Sequence, residues 1–307
     1  MRKFNCDLNF EQLKIKCCGI GNYNENGIFD VYVFGDSNIS KSFLYYFTYN
    51  SLVKQDQKNH LYFETWNTTP AKRLNYILPL QKSNNILLFD SELYSLNNKT
   101  LNKELIDEEQ YIRPTINKNE NKLYGMLSFA GLKIFDLSKK EEEKILYPGR
   151  KNLLCDYIFS EEKIIMCSSD QKIILYDIRE NNCDISRKHK WNFNYLTWGD
   201  RNYKSFFAYS EEEETIFLFD CRNLSHYSEI IKKEILVEKF KFNEKNNNLY
   251  IQEVNSEALL SIDKNGVEKI YETNNDIITF DFNIDFQLLY ILKLNNSLNI
   301  LDISTKK

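Results

Sequence analysis

Five stretches decide the fold: Leu132-Lys133-Ile134-Phe135-Asp136, Ile173-Ile174-Leu175-Tyr176-Asp177, Ile216-Phe217-Leu218-Phe219-Asp220, Leu259-Leu260-Ser261-Ile262-Asp263 and Asn299-Ile300-Leu301-Asp302. Each is a short apolar run closed by aspartate, and the aspartates fall 41, 43, 43 and 39 residues apart. Self-similarity at a fixed period of this size marks a chain built from one repeated supersecondary unit. Between Asp136 and Asp177 the runs Lys144–Tyr147, Leu153–Phe159 and Lys163–Cys167 precede the one at Ile173, with polar turns between them. Runs bounded in that way read as strands, so each period predicts a four-stranded antiparallel sheet.

Outward from these repeats the pattern fades. Leu93-Tyr94-Ser95-Leu96-Asn97 and Phe43-Leu44-Tyr45-Tyr46-Phe47-Thr48 stand where two earlier copies belong, both without the aspartate. The chain stops at Lys307, just past the third strand of the last repeat, and residues 3–10 are left over before the first. They are expected to supply the missing outer strand and remove an exposed sheet edge, which makes the first ten residues necessary for stability. A four-stranded repeat of about 40–45 residues ending in aromatic-Asp resembles the WD40 repeat. That resemblance implies an all-β, seven-bladed WD40-type β-propeller spanning residues 1–307 as one domain, closed by pairing of the N- and C-terminal strands. Helical periodicity occurs only weakly, around Glu229 to Lys239, so a doubly wound α/β sheet is disfavoured. Glycine is sparse, 9 in 307 residues, and the Gly-His phrase common in WD40 repeats is absent, so the repeats are degenerate.

Composition narrows the partners. A formal charge of −4 and 27% charged residues provide no basic field to recruit nucleic acid or an anionic membrane. The start, Met1-Arg2-Lys3-Phe4-Asn5-Cys6-Asp7, lacks the apolar core of a signal peptide, and no apolar run approaches a membrane span. Seven scattered cysteines without a Cys-x-x-Cys pair read as reduced thiols of a cytoplasmic protein. Three histidines and no zinc spacing leave no metal site to expect, and no Gly-x-Ser-x-Gly elbow, P-loop or Gly-x-Gly-x-x-Gly occurs. The expectation is therefore a monomer without cofactor whose partners are proteins.

Two repeats end in Asp-x-Arg: Asp177-Ile178-Arg179 and Asp220-Cys221-Arg222. In WD40 proteins that bind the adaptor subunit of a ubiquitin ligase such an arginine sits on the rim and reaches the partner, so Asp177, Arg179, Asp220 and Arg222 are candidates for a protein-binding rim. The structural alternative is local pairing after the third strand, worth about 0–1 kcal/mol when exposed. Ser168-Ser169-Asp170-Gln171-Lys172 reads as a tight turn, with Glu211-Glu212-Glu213-Glu214-Thr215 as its degenerate copy. Asp170 and His189 are the candidates for general acid–base work, because imidazole titrates near neutrality. Their structural alternative is a hydrogen-bond network holding blades together. The acidic runs Glu141 to Glu143 and Glu211 to Glu214 read as solvated turns.

The order of motifs also resembles the diphthine methyl ester hydrolase family (diphthine methyltransferase) of diphthamide biosynthesis. Phe43 to Asn50 is similar to its first-blade strand, and Thr69-Pro70-Ala71 with Leu74-Asn75 to the phrase opening its second blade. Ser168-Ser169-Asp170, Asp177-Ile178-Arg179, Ser186-Arg187-Lys188-His189 and Asp220-Cys221-Arg222-Asn223 follow its order of a turn, two Asp-x-Arg blades and a basic-His segment between them. The family's turn glycines are missing, Asn192-Phe193 replaces Gly-Val, and Tyr176 and Phe219 stand for tryptophan. The resemblance implies hydrolysis of the methyl ester on methylated diphthine of elongation factor 2. Such a site must hold a trimethylammonium group, which aromatic faces suit, and must activate water.

Overall fold

The strands are rich in β-branched and aromatic residues and bounded by polar turns, which favours an extended chain with buried faces. The structure is a computed structural model. It describes the backbone of the strands named below and, from residue 76 to residue 303, most of the turns and side chains. The chain divides into two compact units, residues 10–150 and residues 1–9 with 151–307.

β1 (Arg2–Cys6) belongs to the second unit. In the first, β2 (Leu13–Tyr23), β3 (Ile28–Ser37), β4 (Ser42–Asn50) and β5 (Leu61–Trp66) pair in sequence as one sheet. β6 (Tyr76–Pro79), β7 (Asn85–Phe89), β8 (Leu93–Asn97) and β9 (Lys103–Asp107) form a second, and β10 (Tyr111–Ile116), β11 (Lys122–Leu127), β12 (Gly131–Asp136) and β13 (Glu141–Leu146) a third. The second unit opens with β14 (Leu154–Phe159), β15 (Lys163–Ser168), β16 (Lys172–Asp177) and β17 (Asn182–Lys188). β18 (Tyr195–Trp198), β19 (Ser205–Ser210), β20 (Thr215–Asp220) and β21 (Asn223–Lys232) follow, then β22 (Val237–Asn243), β23 (Asn248–Glu253), β24 (Ala258–Asp263) and β25 (Gly266–Glu272). Its last sheet is β26 (Ile277–Asn283), β27 (Leu288–Lys293) and β28 (Leu298–Asp302), to which β1 adds an outer antiparallel strand from Arg2↔Asp302 to Cys6↔Leu298.

These antiparallel meanders are blades of β-propeller type, and the described residues include no helix. In each unit the first strand of a sheet lies against the first strand of the next: β2, β6 and β10 in one, β14, β18, β22 and β26 in the other. The expectation of seven blades in a closed ring gives way to five, the sheets from β6–β9 to β22–β25. Only these five combine four consecutive strands with described side-chain packing; β2–β5 is described by its backbone, and the last sheet draws on both chain ends.

The aspartate-terminated stretches are the third strands β12, β16, β20, β24 and β28, and the aspartate-less copies fall on β4 and β8. In β16 every residue from Ile173 to Asp177 is buried. A central strand covered on both faces reads as a continuous apolar run rather than an alternating one, which is why the repeat was visible there. The outer strands are half-solvated: Glu141, Glu142 and Glu143 lie exposed on β13, not in a turn. The weak helical pattern at 229–239 is strand at both ends, in β21 and β22. Among the described residues no helix is long and apolar enough to cross a membrane.

The turns explain how the chain manages with few glycines. Gln171 (φ 66°) and Glu214 (φ 48°) occupy the left-handed region at the same place in the β15–β16 and β19–β20 turns. Gln171 N donates to Ser168 O at 3.1 Å and Glu214 N to Glu211 O at 3.4 Å. Glycine would adopt this backbone without strain; a side chain there costs about 1–2 kcal/mol.

First strands of neighbouring blades in the second unit are tied by hydrogen bonds. Buried Asp156 accepts from Leu196 N at 2.7 Å, and Trp198 Nε1 donates to Phe159 O at 2.8 Å. Thr197 Oγ1 accepts from Phe242 N at 3.2 Å, and Lys239 Nζ donates to Phe280 O at 2.6 Å. Such bonds fix neighbouring blades in register because a buried donor or acceptor left unpaired is costly.

Candidate functional site

At the end of β16 the chain must turn, and Asp177 makes the turn with its own side chain. Its carboxylate accepts from Arg179 N at 2.8 Å, from Nε at 3.0 Å and from Nη2 at 2.6 Å, while Ile178 N donates to Glu162 O at 2.8 Å. Aspartate favours such positions because it can accept from backbone two residues on. The next blade repeats the arrangement: Asp220 accepts from Arg222 N and Nε, both at 2.9 Å, and from Nη2 at 2.5 Å, while Cys221 N donates to Lys204 O at 2.8 Å. In the blade β10–β13, Asp136 uses Ser138 instead, accepting from its N and Oγ at 2.9 and 2.5 Å.

The arginines remain solvent-facing, with side chains 58% exposed at Arg179 and 79% at Arg222. Glu162 lies 3.6 Å from Arg179. The Arg222 guanidinium pulls the Asp220 carboxyl down to about 2, so the pair is charged at any physiological pH. The four expected rim residues thus form two like-built ion pairs at equivalent turns of neighbouring blades.

Asp170 and His189 lie at the opposite end of the blade. The register pairs Ser168 with Lys172 at one end of β15–β16 and Lys163 with Asp177 at the other. Six residues of strand separate the two ends by about 17–20 Å, so the acid–base candidates and the arginines cannot share one site. Asp170 accepts from Ser168 Oγ and from Lys172 Nζ, each at 2.5 Å. Burial pushes its carboxyl up, but the bonds from Lys172 and Ser168 outweigh burial and hold it below the usual carboxylate range.

His189 is placed near this turn by its backbone: its N donates to Gln171 O at 2.8 Å. Its ring packs edge-to-face on Phe219, Phe193 and Tyr227, with centroids 5.2, 5.6 and 6.4 Å away. Nε2 is buried without a hydrogen-bond partner, and burial holds the imidazole below its ordinary value. No hydrogen bond or ion pair joins it to Asp170, so the two do not form a carboxylate–imidazole dyad. Among the described residues no group of three or more His, Cys, Asp or Glu side chains could hold a metal ion.

The aromatic layer around His189 was not singled out from the sequence. Trp191 stacks on Phe217 at 4.9 Å, and Phe206 on Phe219 at 5.1 Å. Phe217 and Phe219 alternate on β20 and face the same neighbour, and with Trp191 and Phe193 two residues apart on the link this was the available signal. Cys167 and Cys221 are buried free thiols, and burial pushes Cys221 up to about 12, which keeps it protonated and inert. His60, Thr69 to Ala71, Leu74 and Asn75 lie outside the described residues, as do the side chains of Cys6, Cys17, Cys18 and Cys183. No protein-family model matches the chain, and no curated protein matches it.

Proposed function

We propose that the chain is a WD40-type interaction platform whose partner is a protein bound at the Asp-x-Arg end of the blades β14–β17 and β18–β21. The observation that carries this reading is the repetition of one device at equivalent turns: a largely exposed guanidinium gripped by its own aspartate through Nε and Nη2. An arginine already held in one conformation loses little side-chain entropy on binding, and arginine is among the residues that dominate interface energetics. The partner class favoured by the WD40 resemblance is the adaptor of a ubiquitin ligase. Arg179→Ala with Arg222→Ala is expected to abolish adaptor binding in a pull-down or titration while changing thermal stability little, since exposed pairs contribute about 0–1 kcal/mol. Binding that survives the double substitution rejects the rim; a large loss of stability identifies the arginines as scaffolding.

A second reading, hydrolysis of the methyl ester on methylated diphthine of elongation factor 2, draws on the motif order and on the convergence of Asp170 and His189 at one end of the blade. Its test is the mass of methylated elongation factor 2 after incubation with the protein: loss of the ester supports it, and an unchanged mass removes it. Either reading takes the protein as a cytoplasmic monomer without cofactor.

A further inference from the structure

His189 to Asn194 is the link between β17 and β18, and it lies over the interface of two blades. Its two ends are held by conventional bonds. His189 N donates to Gln171 O at 2.8 Å and Gln171 Nε2 to Lys190 O at 3.1 Å; beyond them Asn192 Nδ2 donates to Glu212 at 2.6 Å and Asn194 N to Tyr209 O at 2.9 Å. The inward side chains are held differently. His189 Nε2 and Trp191 Nε1 are both buried and both without a hydrogen-bond partner, so these side chains are retained by ring contacts and packing: His189 on Phe219 and Phe193, Trp191 on Phe217, and both on Tyr227, with Lys190 Nζ 5.5 Å from the Trp191 ring centroid. Tyr227 is 41% exposed and forms the outer wall of this layer.

The charged groups nearby are engaged elsewhere or solvated. On the link and its strand stand Lys188 and Lys190, both exposed. On the β15–β16 turn Asp170 is paired with Lys172, and at the end of β20 Asp220 is paired with Arg222. His226 lies exposed on β21, and Glu211 to Glu214 form the β19–β20 turn, with Glu212 taken by Asn192. None of these contacts the imidazole, so among the described residues an imidazolium at this position would have no counter-ion and no acceptor for its Nε2 proton.

We propose that the His189–Asn194 link is an acid-released latch, in which protonation of His189 expels its ring and that of Trp191 from the aromatic layer between the two blades. The sign follows from the burial of a neutral base. At pH above the unfolded-chain value of about 6.5 the latch is fully closed. As pH falls through that value the released link takes up a proton that the docked ring resists, and closure weakens until the lower value of the docked ring is passed. This device is independent of the role proposed for the arginines, which lie at the other end of the blade.

The test is ¹⁹F NMR of the whole chain labelled with 5-fluorotryptophan. The sequence has three tryptophans, and Trp191→Phe assigns the relevant resonance. Between pH 7.5 and 4.5 the Trp191 signal is expected to move to a solvent-exposed position with a one-proton midpoint below 6.5, while the other signals stay in place. His189→Phe and His189→Gln are each expected to remove the transition, and His226→Gln to leave it unchanged. A Trp191 signal that stays fixed throughout this range, or a transition that persists in whichever His189 variant folds, overturns the proposal. Titration of the His189 ring in the unmutated chain supplies a check that needs no variant: it must titrate below the unfolded-chain value of about 6.5, and titration at or above that value refutes the latch.

Discussion

Replacing Asp107 with alanine is expected to lower the unfolding free energy by about 3–5 kcal/mol, because it strands a buried charge. Lys133 lies in the middle of β12 with its side chain 5% exposed, and its Nζ is 2.7 Å from Asp107, whose side chain is 12% exposed, at the end of β9 in the preceding blade. Glu142 is farther, at 3.6 Å, and nearly half exposed. Tyr111 completes the group by donating its hydroxyl to Asp107, and burial with the neighbouring Asp107 carboxylate raises that phenol far above its ordinary range. Without Asp107 the ammonium must be dehydrated with Glu142 at 3.6 Å and the rings of Tyr111 and Phe135 at 5.8 and 5.5 Å as its remaining neighbours. Lys133→Met alone should cost less, since Asp107 keeps the Tyr111 hydroxyl and some solvent. The double substitution should recover most of the loss of Asp107→Ala, as buried pairs commonly do when both charges are replaced by apolar atoms. Urea unfolding of the four proteins of this cycle measures the coupling; an Asp107→Ala cost below about 1 kcal/mol would mean that Lys133 escapes to water. The effect should also survive raised salt, which screens exposed pairs far more than buried ones.

This ion pair illustrates what the sequence could and could not convey. Aligned on their aspartates, the third strands carry Ile174, Phe217 and Leu260 where β12 carries Lys133. A charge in the centre of an apolar strand signals a buried partner, but its identity depends on the register of another blade, and Asp107 lies 26 residues away. The third strands themselves were legible because both faces are covered, which writes burial into nearly every residue of Ile173 to Tyr176. First strands were harder to read because their ties are made by polar atoms such as Asp156 and Thr197, buried against a neighbour that local pattern does not specify. The candidate site followed the same division. Asp177 and Arg179 make contacts two residues apart, so their pairing could be anticipated as one of two outcomes. His189 and Asp170 came under one hypothesis because imidazole titrates near neutrality and a carboxylate is its usual companion in acid–base work. Their separation into a ring-packed imidazole and a lysine-paired carboxylate depends on how the link crosses the blade interface, which spacing along the chain does not encode.

That crossing can be tested through Phe219, whose replacement by alanine is expected to cost about 3–5 kcal/mol. The ring is almost fully buried, stacks on Phe206 and meets Phe193 and Tyr227 at 5.5 Å and His189 at 5.2 Å. Removing it takes contacts from both the blade that bears it and the link that covers it, so the surroundings cannot collapse onto the gap without shifting one of them. Water admitted to the gap would hydrate His189 Nε2, and the imidazole should regain its ordinary basicity. The two effects together predict a pH-dependent difference. The unmutated chain should lose stability as pH falls from 7.5 towards 5.5, because its docked imidazole resists the proton that the unfolded chain accepts. In Phe219→Ala that slope should flatten, so the cost of the substitution is greatest at pH 7.5 and smaller at pH 5.5. Phe219→Leu keeps much of the volume and should cost less while retaining the slope. Urea titrations of the three proteins at both pH values, followed by tryptophan emission, decide the matter. A uniform loss at both pH values would show that the phenylalanine only fills space, whereas a loss that shrinks in acid shows that the same ring also keeps His189 dry.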